Sequence, residues 1–168
     1  AVTFDVTDAD AVAASLGDLV DELGVPDILV NNAGVQRRAP FHEFPIADWD
    51  ALIAANLSGP FYVARALAPA FVERGSGKVV NVGSVQSVLA RQTIAPYSAS
   101  KGGIAQLTRG MAADLARYGI QVNTLSPGYF ATEMNRALVD DAAFTSWLEA
   151  RTPAGRWGDF SELDGALL

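Results

Sequence analysis

Cysteine is missing from this 168-residue sequence, and histidine occurs once, at His42. Without cysteine the chain can form no disulfide framework and has no thiolate chemistry. One histidine does not supply the imidazole set that zinc sites use, so we expect no metal. Basic residues are also few, with 12 Lys and Arg against 19 Asp and Glu, a net charge of −7. Nucleic acid is therefore not an expected partner, because phosphate binding needs a basic surface.

Long hydrophobic runs are missing as well. The longest stretch without a charged residue, Tyr118 to Thr132, contains Pro127-Gly128 and is too short to span a bilayer as a helix. No signal-peptide pattern is visible. The composition is that of a globular protein, with 50% apolar and 18% charged residues. We therefore expect a soluble cytoplasmic protein with no membrane partner.

Short apolar runs alternate with longer helical patterns along the whole chain. Apolar runs without alternation of polar residues are typical of strands buried on both faces. The predicted strands lie around 2–6, 27–30, 78–82 and 120–125. The predicted helices cover 9–23 after a cap at Thr7 or Asp8, 48–72 after a cap at Asp48, 97–118 and 139–150. This order predicts an α/β fold with a doubly wound parallel sheet.

Small and polar residues follow each predicted strand. They are Asp5-Val6, Asn31 to Gly34, Gly83-Ser84 and Pro127 to Thr132. In open α/β sheets ligands bind outside the carboxyl ends of the strands, so these residues are candidates for a site. Gly34 and Gly83 would let a flat ring or a backbone approach closely. Each set also has an ordinary explanation, because Asn-Asn and Pro-Gly pairs are common in turns.

Tyr97 and Lys101 stand four residues apart at the start of a predicted helix, so they share one helix face. A cation beside a phenol favours the phenolate, which makes the phenol a usable proton donor and acceptor near neutral pH. Tyr97 opens the helix that follows the strand of Ser84, so we expect both to face one cleft. Taken alone, the pair also fits an ordinary helix start.

Taken together, these motifs resemble the short-chain dehydrogenase/reductase family. The matching residues are Asp5-Val6, Asn31-Asn-Ala-Gly34, Asn56, Ser84, Tyr97 with Lys101, and Pro127-Gly128 with Thr132. They occur in the family's order and approximate spacing over essentially the whole chain. The resemblance implies a Rossmann-like fold and an oxidoreductase that uses NAD or NADP.

The resemblance also implies a role for each matching residue. Tyr97 would exchange a proton with the substrate oxygen, Ser84 would hydrogen-bond that oxygen, Lys101 would favour the ionised phenol and hold the nicotinamide ribose, and Asn56 would anchor a water in a proton relay. The implied cofactor contacts are Asp5, Val6, Asn32, Ala33, Gly34, Tyr97, Lys101, Pro127, Gly128, Phe130 and Thr132. A homotetramer packed through helices 48–72 and 97–118 is the implied assembly.

The sequence departs from the family pattern at both ends. It lacks the family's first two strands with their Gly-rich phosphate loop, and its last strand, so we expect residues 1–168 to form one incomplete dinucleotide-binding domain. The predicted strand around 2–6 would then have no neighbour in the sheet. The chain could be part of a longer polypeptide, a fragment without activity, or one that a partner completes. The segment that chooses between NAD and NADP is absent, so that choice stays open.

Three stretches are more particular than the family pattern: Val35 to Arg38, Pro127 to Met134, and Arg151 to Pro153 with Arg156 to Asp159. They look like the branch that interconverts gluconate and 5-keto-gluconate. Arg37 and Arg38 suit a sugar acid, because arginine pairs with carboxylates through two hydrogen bonds; they could equally be solvated loop residues. The alternatives are a 3-oxoacyl-thioester (acyl carrier protein) reductase and a catalytically idle scaffold.

Pro60 lies inside the helix predicted from Asp48. In a regular helix the N–H of residue 60 would donate to the carbonyl of Asn56, and proline has no N–H. We therefore predict a kink at Asn56–Gly59, with the carbonyl of Asn56 turned toward Lys101 or a water.

Overall fold

Three parallel strands form the sheet in the computed structural model. The structure describes residues 1–167, with only the backbone at Met134. They are β1 (Ile28–Asn31), β2 (Gly77–Val82) and β3 (Ile120–Leu125), hydrogen-bonded in the order β1-β2-β3. In the register of the sheet, Val30 of β1 lies opposite Val80 of β2, and Val80 lies opposite Asn123 of β3. The predicted α/β class with a parallel sheet is confirmed, and the carboxyl ends of all three strands share one edge.

The helices alternate with the strands as predicted. They are α1 (Ala9–Leu23), α2 (Ile46–Ile53), α3 (Gly59–Arg74), α4 (Ala95–Leu115), α5 (Arg136–Val139), α6 (Ala142–Arg151) and α7 (Asp164–Leu167). Asp8 caps α1 by accepting hydrogen bonds from the backbone N–H groups of Asp10 and Ala11 at 3.1 and 3.0 Å. Gly24, with φ of 84°, ends it. Both ends of α1 follow from local sequence signals.

The helix that carries Asn56 starts earlier than predicted and is interrupted. Its first residue is Ile46 after Pro45, so Asp48 lies in the first turn and is not the cap. Proline supplies a fixed φ at this end, and the carboxylate of Asp48 is favourable near the helix N-terminus. Residues Ala54–Ser58 form a π-helical turn between α2 and α3. This turn covers most of the segment where a kink is predicted from Pro60, whose missing N–H leaves the carbonyl of Asn56 without its regular partner. The kink itself stays a prediction.

Taken together with the π-helical turn, α2 and α3 make a helical stretch, Ile46–Arg74, that length and composition would allow to cross a membrane, with a mean hydropathy of 1.2 in its most apolar window. Helices of a buried core meet the same criterion, and 39% of this window is buried. Leu52, Val63, Leu67 and Phe71 are among its buried residues. The apolar composition of the helix is thus used in packing against α1 and the sheet.

The core lies on one face of the sheet. Its buried members are Val12 and Leu16 of α1, Val63, Leu67 and Phe71 of α3, and Val79, Ile120 and Val122 of the strands. Residues of α4 pack against the same cluster. The opposite face carries Ile28 and Val30, which are 56% and 43% exposed. The prediction that β1 is buried on both faces is therefore wrong, because α1, α3 and α4 all pack on the face of Leu29.

The strand predicted around 2–6 is absent from the structure. A strand needs a neighbour to bond its backbone, and the first eight residues pair with none of the three strands described. Phe4 and Val6 nevertheless pack against the core. The apolar pattern of this segment therefore predicts its burial correctly but not its secondary structure.

The chain divides into two compact units, Ala1–Ser126 and a second unit that begins at Pro127. The first holds the sheet and α1 to α4. The second holds α5 to α7 and an aromatic cluster of Tyr129, Phe144, Trp147 and Trp157, with ring centroids 5.2–6.1 Å apart. The expectation of one dinucleotide-binding domain over 1–168 stays a prediction.

Gly119 leads into β3 and generates a test of the fold. Its φ is 76°, and a Cβ placed on it would lie 2.5 Å from the carbonyl oxygen of Gly75. Gly119→Ala should lower the free energy of unfolding by roughly 1–3 kcal/mol, because a left-handed conformation and a backbone contact oppose the added methyl group. Chemical denaturation of the full encoded protein measures this change.

Gly17→Ala is the matched control for that substitution. Gly17 lies inside α1 with nothing within 4 Å of the added Cβ. It should raise the free energy of unfolding by up to about 1 kcal/mol, since alanine favours helix more than glycine does. Equal effects at the two positions would contradict the strain assigned to Gly119.

Candidate active site

Lys101 is a buried cation at the carboxyl end of β2. It is 6% exposed, and its Nζ donates to the carbonyl oxygen of Val82 at 2.6 Å. The same Nζ lies 5.8 Å from the centroid of the Tyr97 ring. Burial lowers the pKa of Lys101 to about 8, because removal from water disfavours the charged form. The predicted Tyr97–Lys101 pair thus shares one face of α4, with the ammonium beside the phenol ring.

Ser84 is fixed just beyond the end of β2 by its own short turn. It is 8% exposed and caps the 3₁₀ turn Val85–Ser87. Its Oγ accepts from the backbone N–H of Gln86 at 3.1 Å, while its backbone N–H donates to Oγ of Ser87 at 3.2 Å. A hydroxyl has one donor and two acceptor positions, so this pattern leaves the O–H proton of Ser84 for another partner.

The side chain of Asn56 is 1% exposed and hydrogen-bonded at both ends. Its Oδ1 accepts from the backbone N–H of Val35 at 2.8 Å. Its Nδ2 donates to the carbonyl of Val35 at 2.9 Å and to Oγ of Ser100 at 3.2 Å. Both N–H bonds of the amide are therefore used. A water relay at Asn56, as the family resemblance implies, would have to use its backbone.

The carbonyl of Asn56 is predicted to turn toward the ammonium of Lys101 or a water. The hydrogen bond of that ammonium in the structure goes to Val82 instead. The orientation of the Asn56 carbonyl stays a prediction, while the π-helical turn around it is observed.

Ser100, between Tyr97 and Lys101, is a site residue that the motifs did not single out. It is fully buried, accepts from Asn56 and donates to the carbonyl oxygen of Tyr97 at 2.8 Å. The available signal was its spacing, because a serine three residues after a helical carbonyl often donates back to it. Through Ser100, the amide of Asn56 is connected to the backbone of the residue that bears the phenol.

Gly34 and Gly83 do accommodate close approaches, but the neighbours are protein side chains. A Cβ on Gly34 would lie 3.2 Å from Oδ1 of Asn56. A Cβ on Gly83 would lie 2.6 Å from Cγ2 of Thr124 and 2.7 Å from Oγ of Ser126. Packing within the first unit therefore restricts both positions to small residues. The approach of a flat ring to either glycine stays a prediction.

The predicted contacts to the adenosine half of a dinucleotide lie at the same sheet edge. Asn32 and Ala33 follow β1 and are exposed. Oδ1 of Asp5 accepts from the backbone N–H and the hydroxyl of Thr7, both at 2.8 Å. These bonds hold the pKa of Asp5 below its usual range, since they favour the carboxylate. Val6 is half-buried and packs on α3, where its carbonyl oxygen would lie 3.0 Å from a Cβ on Gly59.

The remaining predicted cofactor contacts belong to the second unit. They are Pro127, Gly128, Phe130 and Thr132. Phe130 pairs with Gly158 in a parallel bridge, and the N–H of Ala131 donates to the carbonyl of Gly158 at 3.1 Å. A Cβ on Gly158 would lie 2.6 Å from the Phe130 ring, so a larger residue there would displace the ring. The segment is thus paired within its own unit.

Arg37 and Arg38, the predicted substrate residues, are exposed. Nε of Arg37 lies 3.7 Å from Oδ1 of Asp48, an ion pair at the surface whose contribution to stability is small. His42 is exposed and lies 3.2 Å from the carboxylate of Glu43. Within residues 1–167 no three His, Cys, Asp or Glu side chains are grouped to hold a metal ion.

Comparison with known proteins gives the family. A sequence model described as short chain dehydrogenase matches residues 1–143. The chain belongs to the short-chain dehydrogenase family.

Individual relatives share more than the family pattern. The chain is similar to gluconate 5-dehydrogenase of Gluconobacter oxydans (strain 621H), with 55% identity over 98% of this chain and 64% of that protein. It is 53% identical to 5-keto-D-gluconate 5-reductase of Escherichia coli (strain K12), over 100% of this chain and 66% of that one. A crystal structure of gluconate 5-dehydrogenase from Burkholderia cenocepacia J2315 in complex with NADP and tartrate superposes with a TM-score of 0.95 at 59% identity. That match covers 97% of this chain and 64% of the other. The chain thus spans slightly less than two thirds of these relatives.

Lys101 generates a prediction on pH. Its folded pKa of about 8 lies below its usual 10.5, so between these values the unfolded chain binds a proton that the folded chain has released. The stability that depends on Lys101 therefore rises with pH between pH 8 and 10.5. Below pH 8 the folded chain holds the buried charge and its full cost. Relative to Lys101→Met, the wild type should gain up to about 3 kcal/mol between pH 8 and 10.5.

Urea denaturation of both proteins without cofactor measures this difference. Lys78→Met, at an exposed lysine on β2, is the matched control. A difference between wild type and Lys101→Met that stays constant from pH 8 to 10.5 would contradict the buried ammonium.

Proposed function

We propose that this protein is an NAD(P)-dependent oxidoreductase that interconverts a sugar-acid hydroxyl and its carbonyl, most specifically gluconate and 5-keto-gluconate. One observation carries the proposal. The buried ammonium of Lys101 lies beside the ring of Tyr97 and donates to the carbonyl of Val82, the last residue of β2. Ser84 follows Val82 by two residues in the chain. A fixed cation, a phenol and a hydroxyl at one strand end are the groups that proton exchange with an alcohol oxygen requires.

The protein's own groups handle the proton. In the oxidation direction, the phenolate of Tyr97 takes the proton from the substrate hydroxyl as the carbonyl forms, and in reduction the phenol returns it. The O–H of Ser84 donates to the substrate oxygen, since the backbone N–H of Gln86 already occupies an acceptor position of that hydroxyl. The ammonium of Lys101 favours the phenolate through its charge. A bound nicotinamide cofactor would accept the hydride from the substrate carbon in oxidation and supply it in reduction.

The residues present fit a dinucleotide. An ammonium has three N–H donors, and the hydrogen bonds of the described residues use one of those on Lys101, so two remain for the nicotinamide ribose. Both donors to Asp5 end on Oδ1, which leaves Oδ2 as an acceptor for an adenine amino group. Val6, Asn32, Ala33 and Gly34 would line the adenosine side. Pro127, Gly128, Phe130 and Thr132 would contact the nicotinamide side.

The substrate assignment is supported by the relatives. Two proteins more than 50% identical to this chain are named for gluconate and 5-keto-D-gluconate. The Burkholderia enzyme was crystallised with NADP and with tartrate, a hydroxylated carboxylic acid. The guanidinium groups of Arg37 and Arg38 are assigned to the substrate carboxylate. We further propose a cytoplasmic homotetramer, with neither nucleic acid nor membrane as a partner.

Tyr97→Phe tests the proton donor. It removes the hydroxyl and keeps the ring beside Lys101, so kcat should fall by about 10²–10⁴-fold while cofactor affinity changes little. Steady-state kinetics and a fluorescence titration of NADPH, both on the full encoded protein, measure the two effects. Tyr118→Phe is the control and should keep wild-type turnover, because Tyr118 lies in the 3₁₀ turn Ala116–Tyr118 after the C-terminal end of α4. Retention of more than roughly a tenth of kcat by Tyr97→Phe would refute the role.

A substrate comparison tests the specificity. The purified protein should oxidise D-gluconate and reduce 5-keto-D-gluconate with a kcat/KM at least about 100-fold above that for an acetoacetyl thioester, because a site built for hydroxyl groups strongly disfavours a chain that lacks them. The reverse preference would indicate a 3-oxoacyl-thioester reductase. Cofactor binding without turnover of any of these substrates would refute the gluconate assignment and leave the nucleotide site intact.

A further inference from the structure

Gln86 carries a buried amide that the proposed reaction does not use. Its side chain is 7% exposed, and its Oε1 is buried without a hydrogen-bond partner among the described residues. Buried polar atoms in folded proteins nearly always have a partner, because leaving one unpaired costs the full desolvation of that atom. No described residue supplies a donor to this acceptor, so its partner is a water or a bound molecule.

The position of Gln86 ties this acceptor to the reacting atoms. Its backbone N–H donates to Oγ of Ser84 at 3.1 Å, within the 3₁₀ turn Val85–Ser87. That hydroxyl is the group proposed to hold the substrate oxygen. The side chain of Gln86 therefore starts at the residue whose backbone N–H holds the hydroxyl of Ser84, within the same short turn.

We propose that Oε1 of Gln86 accepts a hydrogen bond from a substrate hydroxyl near the reacting carbon, and that this bond selects polyhydroxy acids. The inference rests on the proposed function. A carboxylate has no proton to donate, and the acyl chain of a 3-oxoacyl thioester carries no O–H beside its keto group. Each carbon around the reacting centre of gluconate does carry one. Binding an acyl thioester would leave Oε1 unpaired, which disfavours that substrate.

Gln86→Met tests the proposal, because methionine keeps the length and shape of glutamine without an acceptor for a hydroxyl. On D-gluconate, kcat/KM should fall by about tenfold, the loss expected for one hydrogen bond, with most of the change in KM. The same measurement uses a panel of deoxygluconates, each lacking one hydroxyl. The deoxy substrate that lacks the bonded hydroxyl should react equally well with wild type and variant, while the others keep the tenfold difference.

Gln106→Met is the matched control, since Gln106 is an exposed glutamine of α4 whose Oε1 is bonded to Arg109. It should leave the whole panel unchanged. Gln86→Glu keeps a side-chain acceptor of the same shape and replaces Gln86→Met if the latter fails to fold, with the expectation that the selection among deoxy substrates persists.

Three results overturn the proposal. Lower thermal stability of Gln86→Met with an unchanged KM would assign the amide to packing alone. A loss that is equal for every deoxy substrate would show that no single hydroxyl is bonded. If wild-type protein binds NADP but turns over no gluconate, the proposed function fails and this inference fails with it, whereas the first two results leave that function standing.

Discussion

The side-chain amide of Asn56 is the contact on which the geometry of the candidate site depends. It joins the backbone of Val35, which follows β1, to the hydroxyl of Ser100, which holds the carbonyl of Tyr97. All three segments come from different parts of the chain. A buried amide is costly unless it is fully hydrogen-bonded. The arrangement of the three segments that satisfies Asn56 is therefore strongly preferred over arrangements that leave its amide unpaired. Apolar packing alone, which has no direction, would not fix the turn of α4 that bears the phenol.

A second set of polar side chains, the asparagine ladder of Asn31, Asn81 and Thr108, fixes β1, β2 and α4 relative to one another. Nδ2 of Asn31 donates to Oδ1 of Asn81 at 2.8 Å, and Nδ2 of Asn81 donates to Oγ1 of Thr108 at 2.9 Å. Asn31 and Asn81 are also partners in the register of β1 and β2. A slip of one residue in either strand would move the amide of that strand to the opposite face of the sheet and break the bond between Asn31 and Asn81. The asparagine ladder therefore fixes the register of the strands whose ends carry the site, and it orients α4 on them.

Local signals in the sequence predicted what depends on local interactions. The cap at Asp8 and the apolar spacing of α1, the parallel strands after Asp27, and the pairing of Tyr97 with Lys101 on one helix face all follow from residues close together in the chain. The errors concern partners that are distant. Residues 2–6 do not form a strand because a strand requires a neighbour, and Ile28 is exposed because burial depends on a covering layer. The hydrogen bond from Asn56 to Ser100 joins residues 44 apart in the sequence, and no pattern within a turn or a strand predicts it.

Lys101 shows why the site needs both kinds of information. Its spacing from Tyr97 is visible in the sequence, but its burial is a property of the assembled fold. In water, an ammonium this close to a phenol would be screened and would influence it little. Burial removes that screening and at the same time makes the charge costly, which is why its pKa falls to about 8. The carbonyl of Val82 offsets part of that cost and holds the ammonium in place. The end of β2 thus determines how strongly the cation acts on the phenol, and the sheet register set by the asparagine ladder determines where that end lies.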